Sequence, residues 1–288
     1  ISAPVVLTIA LIMGWLMDQY SIFLGKRSPA VITGKPVSMG GSLGRNTATG
    51  TGAFFVIQAM MQKFGKSPSE LTVAVQGFGN AGSVVARKLF EAGYKVVAVS
   101  DSKGGIYSPN GLNIPDVQKI KRTEHTMKAV YCHDSVCSIV EHENITNEEL
   151  LFLDVDILIP AALENQITAD NADAVQAKYI FEVANGPVNA DADEILEKKG
   201  ISLFPDILVN AGGVMVSHFE WVQNRSGLYW KLDRAETELE ERIVAEAQRV
   251  YAIAQKHDVS FRTAAYIHAL SRLGEALNDR GTRDYYRS

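Results

Sequence analysis

Apolar positions along this chain follow two patterns: short β-branched runs in the middle, and long helix-periodic stretches on both flanks. Leu71–Gln76 is a short apolar run of the kind a strand buried on both faces requires. Asn80–Ala92 follows with helical patterning, and Gly93 stands where helices end in a left-handed residue. Lys95–Asp101, Asp156–Ile159, Tyr179–Val183 and Ile201–Phe204 predict further strands. Between them Thr168 can cap a short helix. Asp191–Lys199 has acids at its start, lysines at its end and Gly200 beyond, which suits a helix macrodipole. Strands alternating with helices predict an α/β doubly wound parallel sheet.

The flanks read as helices. Thr47–Phe64 is long, apolar and closed by Gly65, and Asn210–Val222, Ala235–Lys256 and Ser260–Leu277 follow the last strand. Glu236 to Glu241 is expected to be a solvated helix face. Pro4 to Met17 is strongly apolar but shorter than the roughly 20 residues that span a bilayer, and no basic segment precedes it. A buried helix is expected there, with no membrane partner. The chain opens on Ile1 rather than methionine, so it is expected to begin partway through a longer protein.

Composition adds limits. The 288 residues, 47% of them hydrophobic, suffice for one large α/β domain with helical additions or for two domains. A net charge of -5 with mixed signs argues against a nucleic-acid partner. Cys132 and Cys137 are the only cysteines, which points to a reducing cytoplasm. With His133 and His142 nearby, their spacing still fits no common zinc pattern, so no metal is expected.

Chemistry concentrates at glycine-rich turns. Gly77-Phe78-Gly79-Asn80-Ala81-Gly82 lies between a predicted strand and its helix, with Asp101 closing the next strand. The first glycine allows a tight turn, the second a close approach of backbone to pyrophosphate, and the third tight helix–strand packing. Free N–H groups at the helix start attract phosphate. Asp101 is placed to accept from ribose hydroxyls, which favours NAD, although Ser102 and Lys103 follow at once and leave NADP open. A structural glycine turn without cofactor is the alternative. The second element, Gly40-Gly41-Ser42-Leu43-Gly44-Arg45-Asn46-Thr47-Ala48-Thr49-Gly50, opens the long helix. Its backbone donors, Arg45 and Thr49 suit a carboxylate or carboxamide. A helix-capping turn explains it equally well.

These runs resemble the glutamate dehydrogenase members of the Glu/Leu/Phe/Val dehydrogenase family. So do Gly34-Lys35-Pro36, Ser100-Asp101-Ser102-Lys103-Gly104-Gly105-Ile106-Tyr107 and Ile159-Pro160-Ala161-Ala162-Leu163-Glu164-Asn165-Gln166-Ile167. Glu182-Val183-Ala184-Asn185-Gly186-Pro187 and Asn210-Ala211-Gly212-Gly213-Val214, running on through Ser217-His218-Phe219-Glu220-Trp221, complete the match. The resemblance implies a Rossmann-like NAD(P)-binding domain over 41–205. Residues 1–40 and 206–288 become flanking helices, hinge and remnant of a substrate domain. It implies NAD(P)-dependent, reversible deamination of L-glutamate to 2-oxoglutarate and ammonia, in a homo-oligomer that is commonly a hexamer.

Carried onto matching positions, Thr49 contacts nicotinamide or substrate, and Ala161, Asn165, Ala184 and Asn185 line the nicotinamide end. Asn210 holds nicotinamide or substrate, Arg45 belongs to the substrate end, and Ser217 binds the side-chain carboxylate of glutamate. Leucine, phenylalanine and valine dehydrogenases place an apolar residue near Ser217; a serine bonding its own helix carbonyl is the plainer reading. Two departures stand out. The family's substrate domain, with its catalytic lysines, is expected upstream of residue 1. Val5 occupies the position of the catalytic aspartate, and a valine cannot transfer protons. The chain alone is therefore expected to bind dinucleotide without turnover. A leucine, phenylalanine or valine dehydrogenase and a non-catalytic dinucleotide-sensing module are the competing readings.

Overall fold

The computed structural model describes residues 9–124, 127–128, 130–133, 136–139 and 141–280. In chain order the strands are β1 (Thr72–Gln76), β2 (Lys95–Asp101), β3 (Gly104–Tyr107), β4 (Val130–His133), β5 (Val136–Ile139), β6 (Glu143–Ile145), β7 (Ile157–Pro160), β8 (Tyr179–Phe181) and β9 (Ser202–Phe204). The helices are α1 (Ala10–Leu24), α2 (Ala48–Lys63), α3 (Asn80–Glu91), α4 (Ile114–Glu124), α5 (Asn147–Leu151), α6 (Ala190–Lys198), α7 (Asp206–Val209), α8 (Gly212–Ser226), α9 (Leu232–His257) and α10 (Phe261–Asp279).

A seven-stranded sheet runs in the order β6-β3-β2-β1-β7-β8-β9. From β2 to β9 neighbouring strands pair in parallel. The chain leaves β1 through α3 toward β2, and leaves β7 in the opposite direction toward β8. The crevice between β1 and β7 is therefore the topological switch point where doubly wound sheets bind ligands.

Period-two alternation divides the core between the two faces of the sheet. Val73, Val75, Ile157 and Ile159 pack with Val56 and Ile57 of α2 and with Leu239 and Ile243 of α9. Ala74 and Leu158 face the other way, onto Leu150 of α5 and Leu196 of α6. At the sheet's far edge Phe204 stacks on Phe181 and on Phe261 of α10, with ring centroids 4.4 Å apart in each pair. Beside the stack, Arg262 donates to Glu182 at 2.9 Å and to Asp193 at 2.6 Å. Burial pushes the Glu182 carboxyl up, against the pull of Arg262.

One buried ion pair ties the segment before α2 to α8. Lys35 Nζ lies 2.6 Å from Glu220, and neither side chain reaches solvent. Lys35 Nζ also donates to the Ile32 carbonyl at 2.6 Å, and the Gly34 N–H donates to Glu220 at 2.9 Å. Each charge thus has additional partners, as burial demands.

The predicted sheet is present, and α4, α5 and the β4–β5 pair lie where no element was predicted. β3 and the edge strand β6 pair antiparallel, which the sequence patterning did not predict. Four residues beginning Gly-Gly in β3 and three in β6 are too few to show the apolar pattern of a doubly buried strand. The helix expected after Thr168 is a 3-10 turn, Ala172–Ala174, with no side-chain cap; the Thr168 N–H instead donates to the side chain of Asn171 at 2.8 Å. The apolar opening segment is helical over Ala10–Leu24 but is not a buried helix: only Met13, Gly14 and Met17 are buried, while Trp15 is 57% and Phe23 85% exposed. Its apolar residues point all round, and its cover of Ile32, Val31 and Met39 lies on one side. No helix among the described residues is long and apolar enough to cross a membrane. None of their His, Cys, Asp and Glu side chains forms a group of three or more able to hold a metal. The side chains of Cys132, His133 and Cys137 lie outside the described residues.

Two stability predictions follow from this packing. Phe204→Ala should cost about 3–5 kcal/mol, because it empties the centre of an aromatic stack; urea unfolding measures it. Glu220→Gln should cost about 3–5 kcal/mol by stranding a buried lysine, whereas the double change Lys35→Met/Glu220→Leu should recover most of that loss. A double variant as unstable as the single would show that the cost lies in packing rather than charge.

Candidate functional site

The turn after β1 is held by backbone geometry. Gly77 has φ +92°, and a Cβ there would stand 2.7 Å from the Ala161 carbonyl carbon. A Cβ on Gly82 would run into the carbonyl oxygen of Gly77. The N–H groups of Gly77 and Phe78 both donate to the Ser100 carbonyl, at 2.9 and 2.6 Å, which pins the turn to the end of β2. α3 begins at Asn80 with no side-chain cap, so its first-turn N–H groups lack an intrahelical partner. Gly79 and Asn80 are exposed, Ala81 is half-buried, and nothing lies within 4 Å of where a Gly79 Cβ would be. This cradle fits the pyrophosphate of a dinucleotide: positive dipole, open donors, and space over Gly79.

A cavity of about 460 Å³ begins here, lined by Gly77, Phe78, Gly79, Asp101, Ser102, Lys103, Lys121, Ala161 and Ala162. At its outer end Lys121 of α4 lies 2.7 Å from Asp101 and donates to the Phe78 carbonyl at 2.9 Å. The Lys103 N–H donates to the other Asp101 oxygen at 2.9 Å. Burial works to raise the Asp101 carboxyl, but the hydrogen bonds and charges of Lys121 and Lys103 outweigh it and hold it below the usual aspartate range.

Ala162 also lines a second cavity, of about 410 Å³, which continues toward α2 and α8. Arg45, Thr49, Val183, Ala184, Asn185, Asn210, Gly213 and Ser217 face it. Arg45 Nε donates to the Ser217 hydroxyl at 2.8 Å. Burial lowers the pKa of the Arg45 guanidinium, and the Glu220 charge opposes that effect. Asn210 Nδ2 donates to Asn185 Oδ1 at 2.7 Å. The close approach of α2 and α8 has a steric origin: a Cβ on Gly52 would stand 2.9 Å from the Gly212 Cα. Small residues at this crossing bring Thr49 of α2 and Arg45, just before it, to the same cavity as Ser217 of α8 and Asn210, which ends α7.

Most of the sequence-derived site residues thus line these two cavities, while Asn80, Ala81 and Gly82 form the helix start beside the first of them and Asn165 stands apart. Asn165 has φ +53° and its N–H donates to the Gly186 carbonyl at 2.9 Å, but it lines neither cavity. Val183 does line the second cavity. Val5 lies outside the described residues. Sequence reasoning missed Lys121. It lies on a different helix from the glycine motif and carries no pattern of its own.

Residues 40–281 match the family model for Glutamate/Leucine/Phenylalanine/Valine dehydrogenase. The chain is 62% identical over 286 residues to an NADP-specific glutamate dehydrogenase of Synechocystis sp., covering 99% of this chain and 67% of that protein. It is 47% identical to a glutamate dehydrogenase of Thermotoga maritima, covering 98% of this chain and 66% of that one. The catabolic NAD-specific enzyme of Bacillus subtilis is 44% identical, with 98% and 64% covered. Among solved structures, the hetero-hexameric glutamate dehydrogenase of Thermus thermophilus superposes with a TM-score of 0.86 at 34% identity, covering 97% of this chain and 64% of that chain. The chain therefore spans about two thirds of the length of these relatives. Sequence, fold and groove together establish that the chain belongs to the glutamate/leucine/phenylalanine/valine dehydrogenase family.

Proposed function

We propose that this chain supplies the cofactor-binding part of an enzyme that reversibly deaminates L-glutamate to 2-oxoglutarate and ammonia, with NAD or NADP as oxidant. The observation that carries the choice of substrate is the Arg45–Ser217 pair, 2.8 Å apart at the inner end of the groove. A substrate side-chain carboxylate gives both groups a charge-assisted partner. A leucine, phenylalanine or valine side chain would offer the half-buried guanidinium no counter-charge and the buried Ser217 hydroxyl no acceptor for its own proton, which disfavours those substrates.

In this reading Gly77 to Gly82 holds the pyrophosphate. The Asp101–Ser102 end takes the adenosine ribose. Thr49, Ala161, Ala184, Asn185 and Asn210 surround the nicotinamide end, and Asn165 acts on it through its loop. When bound, the nicotinamide accepts a hydride from the substrate α-carbon. The chain's own residues position rather than transform. Arg45 and Ser217 fix the substrate's far end, so that the α-carbon takes one orientation. The Asn210–Asn185 amide pair holds two donors and acceptors at the mouth. Val183 gives the same cavity an apolar face. None of these groups is a proton shuttle, and Val5 supplies none at the position the resemblance gives to an aspartate. The α-carboxylate ligands and the water-activating lysine belong to a substrate domain of the kind the resemblance implies. The chain alone therefore binds cofactor without turnover. Assembly with copies of itself into an oligomer belongs to the same reading.

The test uses the protein expressed from its complete gene, assayed for NAD(P)-dependent oxidation of glutamate, leucine, phenylalanine and valine. Glutamate should be the preferred substrate. Ser217→Ala should lower kcat/KM for glutamate by roughly 10–150-fold, the worth of a hydrogen bond to a charged group, with a far smaller effect on leucine. Preference for leucine or phenylalanine in the unaltered protein would overturn the substrate assignment. Cofactor binding with no activity on any amino acid would favour a sensing module.

A further inference from the structure

The amide pair at the inner cavity, Asn185 and Asn210, is assembled by a side chain that lines neither of the two cavities. Asn185 sits on the loop after β8, and Asn210 is the residue that ends α7. Asp206, the first residue of α7, holds both. Its Oδ2 accepts the Gly186 N–H at 2.9 Å, one residue beyond Asn185. Its backbone carbonyl accepts the Asn210 N–H at 3.0 Å. The two amides then meet, with Asn210 Nδ2 donating to Asn185 Oδ1 at 2.7 Å. Asn185 Nδ2 and Asn210 Oδ1 make no hydrogen bond among the described residues, so a donor and an acceptor remain for the cavity. A carboxamide presents the complementary pair.

Behind Asp206 stands a buried hub. Glu182, whose side chain has no exposure, accepts the Asp206 N–H at 2.9 Å through Oε2 and the Val188 N–H at 3.3 Å through Oε1. Arg262 Nη2 donates to the same Oε1 at 2.9 Å, its Nε donates to Asp193 at 2.6 Å, and its Nη1 lies 4.0 Å from Asp206. Three carboxylates thus share one guanidinium. The aromatic stack of Phe181, Phe204 and Phe261 already joins the sheet edge to α10 without these charges. The charges add what the stack does not: they fix the start of α7 against the loop that carries Asn185.

We infer that Asp206, keyed in place by Glu182 and Arg262, is the positioning residue for the nicotinamide end of the groove. It sets the spacing of Asn185 and Asn210, and through them the aim of the nicotinamide ring at the substrate. This inference rests on the proposed cofactor site but goes further, because that proposal gives Asp206, Glu182 and Arg262 no part in the reaction.

The protein expressed from its complete gene is titrated calorimetrically with NADH and NADPH, and with the matching fragments that lack nicotinamide, ADP-ribose and its 2′-phosphate. For whichever dinucleotide binds more tightly, the ratio of its affinity to that of its fragment reads the nicotinamide end alone. Asp206→Ala should lower this ratio about tenfold, the worth of a hydrogen bond to a charged group, and leave fragment affinity within about twofold. On the preferred amino acid kcat should fall by about 10–100-fold, as a small displacement of a reacting group requires, with KM for that amino acid within about twofold. Asp206→Asn keeps an acceptor for the Gly186 N–H and should restore most of both. In an Asn210→Ala background Asp206→Ala should add little, since it acts through that residue. Glu182→Gln changes no volume, strands Arg262 and should move the same ratio the same way; it decides the question if Asp206→Ala is not recovered folded. Equal weakening of dinucleotide and fragment, or a ratio unchanged in the folded variants, would overturn this inference while leaving the cofactor site standing. Failure of the unaltered protein to bind any of the four ligands would overturn the cofactor site and this inference with it.

Discussion

A side chain at Gly82 would collide with the carbonyl oxygen of Gly77, and one at Gly77 would press on the backbone of Ala161. Those two absent Cβ atoms let α3 start directly over the end of β1 while β1 stays paired to β7. The rest of the site depends on that close approach. It leaves the uncapped start of α3 facing the switch point of the sheet, where the outward connections from β1 and β7 diverge. Helix dipole, unsatisfied N–H groups and an open crevice coincide there for steric reasons, before any ligand is considered.

The inner end of the groove depends on a similar contact between other elements. Gly52 and Gly212 let α2 and α8 cross closely, and the buried Lys35–Glu220 pair pins the segment before α2 to α8. Arg45 and Ser217 are far apart in sequence yet meet at 2.8 Å, with α2 and the segment before it both held against α8. Charge buried away from the chemistry thus fixes the geometry of charge within it. At the outer end the Asp101–Lys121 pair does comparable work on the cofactor side.

What the sequence revealed divides along physical lines. Strands β1, β2 and β7 were legible because burial on both faces demands near-continuous apolar residues. The glycine turn was legible because its requirements are local: Gly77, Gly79 and Gly82 lie within one turn. Arg45 was legible from its place in the glycine-rich helix start and Ser217 only through resemblance, while their pairing escaped both, since nothing local links the two residues. β3 and β6 escaped notice because strands of four and three residues carry little period-two signal. α1 was misjudged as buried because apolar content reports what a segment could bury, not what is beside it to be buried against. Lys121 was invisible for the same reason as most long-range ion pairs: a lysine on an amphipathic helix looks like any other until the fold brings it to Asp101.

The central claim is that a dinucleotide pyrophosphate rests on the first turn of α3. Amide chemical shifts of the ¹⁵N-labelled chain, followed during titration with NADPH, test it most directly. The account predicts that the N–H signals of Asn80, Ala81 and Gly82 move most and saturate together with those of Ser102 and Lys103. Shifts confined to other parts of the molecule, with those amides unmoved at saturation, would contradict it.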